Sequence, residues 1–254
     1  MSRSANFGFS VGLVLVCTSV WAASKSGENS PPASSARYQQ CVGLTKENAQ
    51  EGLNSALAWR NARGGSAAEH CAALALVQLK RYDEAAAKLD GLARGAGDAA
   101  MRTELHDQAG NAWLLAAQPG NAERSFSDAL ALAPSNTDIL ADRARAKAMR
   151  KNWQGADIDL SAALAIDPDR VDLLVLRASA RHAQGRKKEA RGDIDHALDI
   201  FPGYADALVE RGAMKFETGD AKGAKLDWQA VIASGRNSPA AVTAQRYLQE
   251  MNSN

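Results

Sequence analysis

The chain has 254 residues, 46% of them apolar and 23% charged, which is the composition of a foldable protein and not of a disordered or collagen-like one. Its 30 basic and 29 acidic residues nearly cancel, and that excludes the extended basic field that nucleic acid or an anionic membrane surface requires. Aromatics are few and alanine is abundant, a bias that suits tightly packed helices, because alanine has the highest helix propensity and lets helix axes approach closely.

Taken in order, Met1 to Asn6 carries one arginine, and Phe7 to Trp21 is uncharged and mostly apolar. Val20-Trp21-Ala22 then supplies small or branched residues where a signal peptidase reads. This pattern predicts a secretory signal peptide over 1–22, cleaved after Ala22. An apolar run this short is below the roughly 20 residues that span a bilayer. An uncleaved membrane anchor and a lipoprotein built on Cys17 are the alternatives, the latter opposed by Val16 where such signals carry a small residue.

Residues 23–36 are mostly Ser, Pro and Ala without periodic large apolar positions, so they read as a disordered linker. Removing the signal removes Cys17 and Arg3, leaving 29 basic against 29 acidic residues and the pair Cys41 and Cys71. In an exported chain an even pair predicts a structural disulfide; two free buried thiols are the alternative. Residues 37–65 read as N-terminal capping helices, near Arg37 to Leu44 and Lys46 to Ala62, stopped at Gly64-Gly65.

From Ser66 onward one pattern repeats. Small residues stand at Ala73, Gly110, Ala144, Ala178 and Gly212; the step is 37 residues once and 34 thereafter. Alanines follow twelve places later, from Ala85 to Ala224, and bulky residues four further on at Leu89, Phe126, Leu160, Ile194 and Trp228. Pro134, Pro168 and Pro202 close three units, and Pro119-Gly120, Asn152, Gly185 and Gly219 mark the turns within them. The extra three residues of the first step fall at Gly95 to Asp98, where a loop absorbs insertion. Residues 66–236 are thus an array of about five units, and 237–254 a closing helix with Ala240, Val242, Tyr247 and Leu248 as its apolar residues.

These residues make the chain resemble the tetratricopeptide repeat (TPR) family. The resemblance implies an all-α, right-handed superhelical solenoid of antiparallel helix pairs. It departs from the family pattern at the two large-aromatic places of the first helix, which hold His106, Leu140, Leu174 and Leu208, then Trp113, Lys147, Arg181 and Lys215, and of these Trp113 fits. By place in the repeat, it also implies a concave partner-binding face formed by Asp107, Asn111, Leu114, Arg145, Val175, Ser179, His182 and Phe216, suited to an extended peptide or a partner helix.

Two charge ladders follow the repeat. Arg143, Arg177 and Arg211 precede Asp159, Asp193 and Asp227 by 16 residues, while the unit with Ala109 has Ser125 and lacks both charges. Paired presence and paired absence predict an Arg-Asp bridge between the two helices of a repeat. Glu104, Asp138, Asp172 and Asp206 stand where a first helix is expected to start, favourable to the helix dipole. His70, His106, His182 and His196 have no metal-ligand spacing. With no phosphate loop, nucleophile elbow or catalytic carboxylate pair, the sequence predicts no catalytic residue, no metal and no cofactor. The expectation is a periplasmic, monomeric, non-enzymatic scaffold or adaptor for a protein or peptide, with no nucleic acid and no membrane contact beyond an uncleaved signal segment. A structural component of an envelope assembly, such as secretion or cell-wall machinery, associating through its solenoid ends, is the alternative.

Overall fold

The computed structural model describes residues 33–253; the expected signal peptide, Cys17 and most of the linker lie outside the described residues. The described residues form thirteen helices and no strand: α1 (Ala33–Glu47), α2 (Ala49–Asn61), α3 (Gly65–Gln78), α4 (Tyr82–Gly95), α5 (Ala99–Leu115), α6 (Pro119–Leu132), α7 (Thr137–Met149), α8 (Trp153–Ile166), α9 (Val171–Ala183), α10 (Lys187–Ile200), α11 (Ala205–Glu217), α12 (Ala221–Ser234) and α13 (Pro239–Asn252). They are an all-α solenoid of helix pairs. By contact the chain divides within α7 into two compact units, described over 33–146 and 147–253.

In the N-terminal unit α1, α2 and α3 pack on one another and α3 to α6 each on the next. Its core includes Tyr38, Leu53, Trp59, Leu76 and Leu89. Cys41 on α1 and Cys71 on α3 are joined in a disulfide, with Cα atoms 6.3 Å apart and a sequence separation of 30. Closing a loop of that length stabilises by about 3–4 kcal/mol in the chain-entropy model. The Tyr38 hydroxyl lies 2.7 Å from His70 Nδ1, and His70 Nε2 lies 2.7 Å from Gln108 Oε1. A neutral imidazole fits both contacts, donating through Nε2, and burial lowers its pKa accordingly. α1 is continuous from Ala33, inside the segment expected to be linker, since Ala and Ser there can open a helix.

The C-terminal unit holds α8 to α12 in succession, each packed on the next, and closes on α13. Two repeat places explain the packing. A Cβ on Gly110 would lie 2.5 Å from the Phe126 ring, and one on Gly212 would lie 2.4 Å from Trp228. Aromatic fillers therefore require glycine opposite, whereas Ala178 accompanies the smaller Ile194, both fully buried. On α13, Ala240, Ala241 and Ala244 are buried but Val242 is 58% exposed. This corrects its expected place in the apolar stripe, because it sits off the face that those three alanines define.

The turns inside the repeats depend on left-handed residues. Lys80, Ala117, Lys151, Gly185 and Gly219 have φ between 55° and 89°. Each follows a first helix, and the next amide bonds back across the turn, as from Gln118 to Trp113 O and from Asn152 to Lys147 O, both at 2.9 Å. These are the capping bonds of a left-handed helix end. In three of the five turns a residue with a Cβ occupies the place glycine would favour.

The ion-pair ladder joins neighbouring helices. Asp193 accepts Arg177 through two nitrogens at 3.0 and 2.7 Å, and Asp227 accepts Arg211 at 3.0 and 2.8 Å. The cations at the divergent aromatic place join them: Arg181 Nη1 reaches Asp193 at 2.9 Å, Lys215 reaches Asp227 at 2.8 Å, and Lys147 reaches Asp159 at 2.7 Å. Where Ala109 and Ser125 replace the ladder, Asp90 of α4 accepts Ser125 Oγ and Trp113 Nε1, each at 2.9 Å. The departure from the family pattern is thus a change of glue, with charge-assisted bonds where packed aromatic rings would otherwise stand.

Candidate functional site

Asp138, Asp172 and Asp206 stand in the first turns of α7, α9 and α11, as expected, and Asp172 also accepts backbone amides there; Glu104 does not, and other side chains cap α5 and α7. Asp98 caps α5 through Met101 N, which leaves Glu104 in the second turn, and Asn136 caps α7 through Asp138 N and Ile139 N. Burial raises the pKa of Glu104 and of Asp206. For Asp172 burial acts in the same sense but is outweighed by Arg170, so its pKa falls.

On the first helices of the N-terminal unit these acids converge. Asn111 Nδ2 donates to Asp107 O at 3.1 Å and lies 3.5 Å from Asp142 Oδ2, while Arg145 pairs with Asp142. The Asp107 carboxyl is pushed up to about 7, first by burial and then by Asp142, Asp138 and Glu104. Asp142 is also raised, because burial outweighs Arg145 and Asn111. Three half-buried carboxyl groups, Glu104, Asp107 and Asp142, thus share one patch on α5 and α7 with the exposed Asp138 acting on it, and Arg145 is the cation paired within it.

In the C-terminal unit, Ser179 Oγ donates to Val175 O at 3.1 Å, and His182 Nε2 lies 2.9 Å from Glu217, which also takes Lys187 at 3.0 Å. The Glu210 carboxyl is pushed up to about 7, first by burial and further by Asp206 and Glu217, and its Oε2 is buried with no hydrogen-bond partner among the described residues. Phe216 is 38% exposed, its ring centroid 5.9 Å from that of Trp228.

Of the residues expected on the binding face, Asp107, Asn111 and Arg145 are brought together half-buried, and Phe216 stands exposed in the other unit. Leu114, Val175, Ser179 and His182 are instead buried at 4–8% exposure. In the C-terminal unit the first helix α9 packs against the first helix α11, which covers one flank of each. Asp142 and Glu210 belong to the candidate sites and were missed by sequence reasoning. They share the repeat place occupied by Gln108 and Leu176 in the other two strict units, and that variability was the available signal. Among the described residues no group of three or more His, Cys, Asp or Glu is placed to hold a metal ion, and no helix is long and apolar enough to cross a membrane.

Helix pairs in one 34-residue period, left-handed turns and small-to-bulky packing define the class: the chain has the tetratricopeptide-repeat fold. It is similar to PilW, described as a widely conserved type IV pilus biogenesis factor, at 17% identity over 85% of this chain and 100% of that one, with a TM-score of 0.65. It is also similar to a tetratricopeptide repeat protein from Parabacteroides merdae ATCC 43184 (18% identity, 84% and 86% covered, TM-score 0.59). A third similar structure is YrrB, described as a TPR protein with an unusual peptide-binding site (17%, 74% and 96%, 0.53). No protein-family model and no curated protein sequence matches the chain.

Proposed function

We propose that this chain is a non-enzymatic scaffold, exported to the periplasm of a Gram-negative bacterium, that binds a protein or peptide partner on the first-helix face of residues 33–146. The observation that carries this reading is the patch of Asp107, Asn111, Asp142 and Arg145. Its carboxylates are desolvated and repel one another, so an incoming lysine, arginine or terminal amine relieves a cost already present in the free protein. The partner segment is therefore cationic. YrrB is described as having a peptide-binding site, which is in keeping with a groove of this fold taking a peptide. The test is pull-down and crosslinking with the exported protein: Asp107→Asn with Asp142→Asn should weaken capture of the partner at least tenfold, and a variant that retains every partner ends the proposal.

A second reading, a structural component of an envelope assembly that associates through the solenoid end, is favoured by Val242, 58% exposed on the closing helix α13. The likeness to PilW, described as a pilus biogenesis factor, is in keeping with it. Light scattering on the purified protein separates the two readings: a monomer supports the first, and association abolished by Val242→Asp supports the second.

A further inference from the structure

A crevice of about 320 Å³ opens in the C-terminal unit, between α10 and α11 and beside the end of α9. Met214 and the aliphatic stems of lysines and arginines line it, with Ile194 beneath. Five cations surround it, Lys187, Lys188 and Arg191 from α10 and Arg211 and Lys215 from α11, against the single acid Glu217.

The cations are not equivalent. Arg211 and Lys215 are engaged by Asp227, and Lys187 by Glu217. Arg191 has only a 3.6 Å approach to Asp195 between side chains 75% and 52% exposed, a pair that solvent leaves worth little. Lys188 is exposed and makes no ion pair among the described residues. These two stand three residues apart on one face of α10, about 4.5 Å along its axis, and Ile194 follows one turn later. One side of the crevice therefore presents unspent positive charge directly above an apolar floor.

We propose that this crevice is a second binding site, which takes an acidic peptide segment by seating one bulky apolar side chain against Met214 while flanking carboxylates meet Lys188 and Arg191. Charge complementarity selects the occupant. The two uncommitted cations, Lys188 and Arg191, follow one another along α10, a spacing that successive carboxylates on a peptide can match. The volume points the same way, since it lies at the low end of the roughly 300–1,000 Å³ of ligand pockets, room for one large side chain and not for a long acyl chain. The site lies wholly within residues 147–253 and does not depend on the acidic patch, so the chain would hold a cationic partner at one place and an anionic one at another.

The experiment uses the full exported chain and three probes: a fluorescein-labelled hexapeptide with Leu-Trp at its centre and aspartates on either side, the same peptide with lysines replacing the aspartates, and vesicles containing an anionic phospholipid. Polarisation should show saturable binding of the acidic peptide, weakened by raising salt from 20 to 150 mM. Lys188→Glu with Arg191→Glu should weaken it at least tenfold while the thermal melt stays unchanged, as both side chains are exposed. Met214→Glu should weaken it comparably, and Asp107→Asn should leave it unaltered. Absence of saturable binding, equal binding of the basic peptide, indifference to the charge reversals, or binding of vesicles alone would each overturn the proposal.

Discussion

Replacing Gly212 with alanine tests the packing rule of the repeat. In isolation Gly→Ala inside a helix stabilises by about 1 kcal/mol. Here the added Cβ would stand 2.4 Å from Trp228 Nε1 and 2.8 Å from its Cδ1, against the 3.5–4.0 Å or so of a normal carbon contact. The ring cannot move freely: it is 1% exposed, lies 5.2 Å from the Tyr247 ring, and donates to Val209 O at 3.2 Å. Overpacking costs about 1–3 kcal/mol and a strained hydrogen bond about 1 kcal/mol, so Gly212→Ala should destabilise by roughly 2 kcal/mol net. Trp228→Ile alone should cost about 2–4 kcal/mol through the cavity it leaves. The two together reproduce the Ala178 and Ile194 pairing of the preceding unit, so the double substitution should cost no more than Trp228→Ile by itself. The coupling is then about 2 kcal/mol, measured by urea unfolding followed by far-ultraviolet circular dichroism. Additivity to within about 0.5 kcal/mol, or a Gly212→Ala protein stabilised by its propensity gain, would refute the reasoning.

Asp193→Asn removes the negative charge and one of the two oxygens that accept Arg177 and Arg181; the melting temperature should fall by an amount equivalent to about 2–4 kcal/mol while peptide binding is preserved. Asp107 has a folded pKa of about 7, above an unfolded value near 4, so the folded state holds the extra proton between these pH values and stability declines as pH rises from about 4 to 7. Asp107→Asn should therefore stabilise at pH 8, on the order of 1–3 kcal/mol, and little at pH 4.5, as thermal melts at the two pH values will show. Lys151 holds a φ of 61°, so Lys151→Gly should raise stability by about 0.5–1 kcal/mol, read as a rise in the urea midpoint.

The repeat was legible because period, small place and bulky place are each set by contacts inside a helix pair, which the sequence writes once per 34 residues. The Arg-Asp ladder was legible for the same reason, through the paired loss at Ala109 and Ser125. The service of Lys147, Arg181 and Lys215 to the same acids was not, since as departures from an aromatic place they carry no pattern of their own. Asp90 was hidden because it substitutes for the ladder from a different helix and a different repeat place. Asn152 marked its turn, but Ala117 and Lys151 adopt the left-handed conformation without the glycine that signals it. The placement of the residues expected on the binding face was legible only in part. Place in a repeat says which helix a residue belongs to, whereas burial of Leu114, Val175, Ser179 and His182 depends on how neighbouring helices cover that helix's flanks. The raised carboxyls of Asp107 and Glu210 depend on the same enclosure.

The most direct test of the scaffold reading places a photo-crosslinking amino acid at one position at a time in the exported chain within its own cells. Asn111 sits in the acidic patch on a first helix, and Ile158, 60% exposed, sits on the second helix α8. The account predicts a discrete crosslinked partner from position 111, lost when Asp107 and Asp142 are both changed to Asn, and none from position 158. A partner captured from position 158 and not from 111 would contradict it.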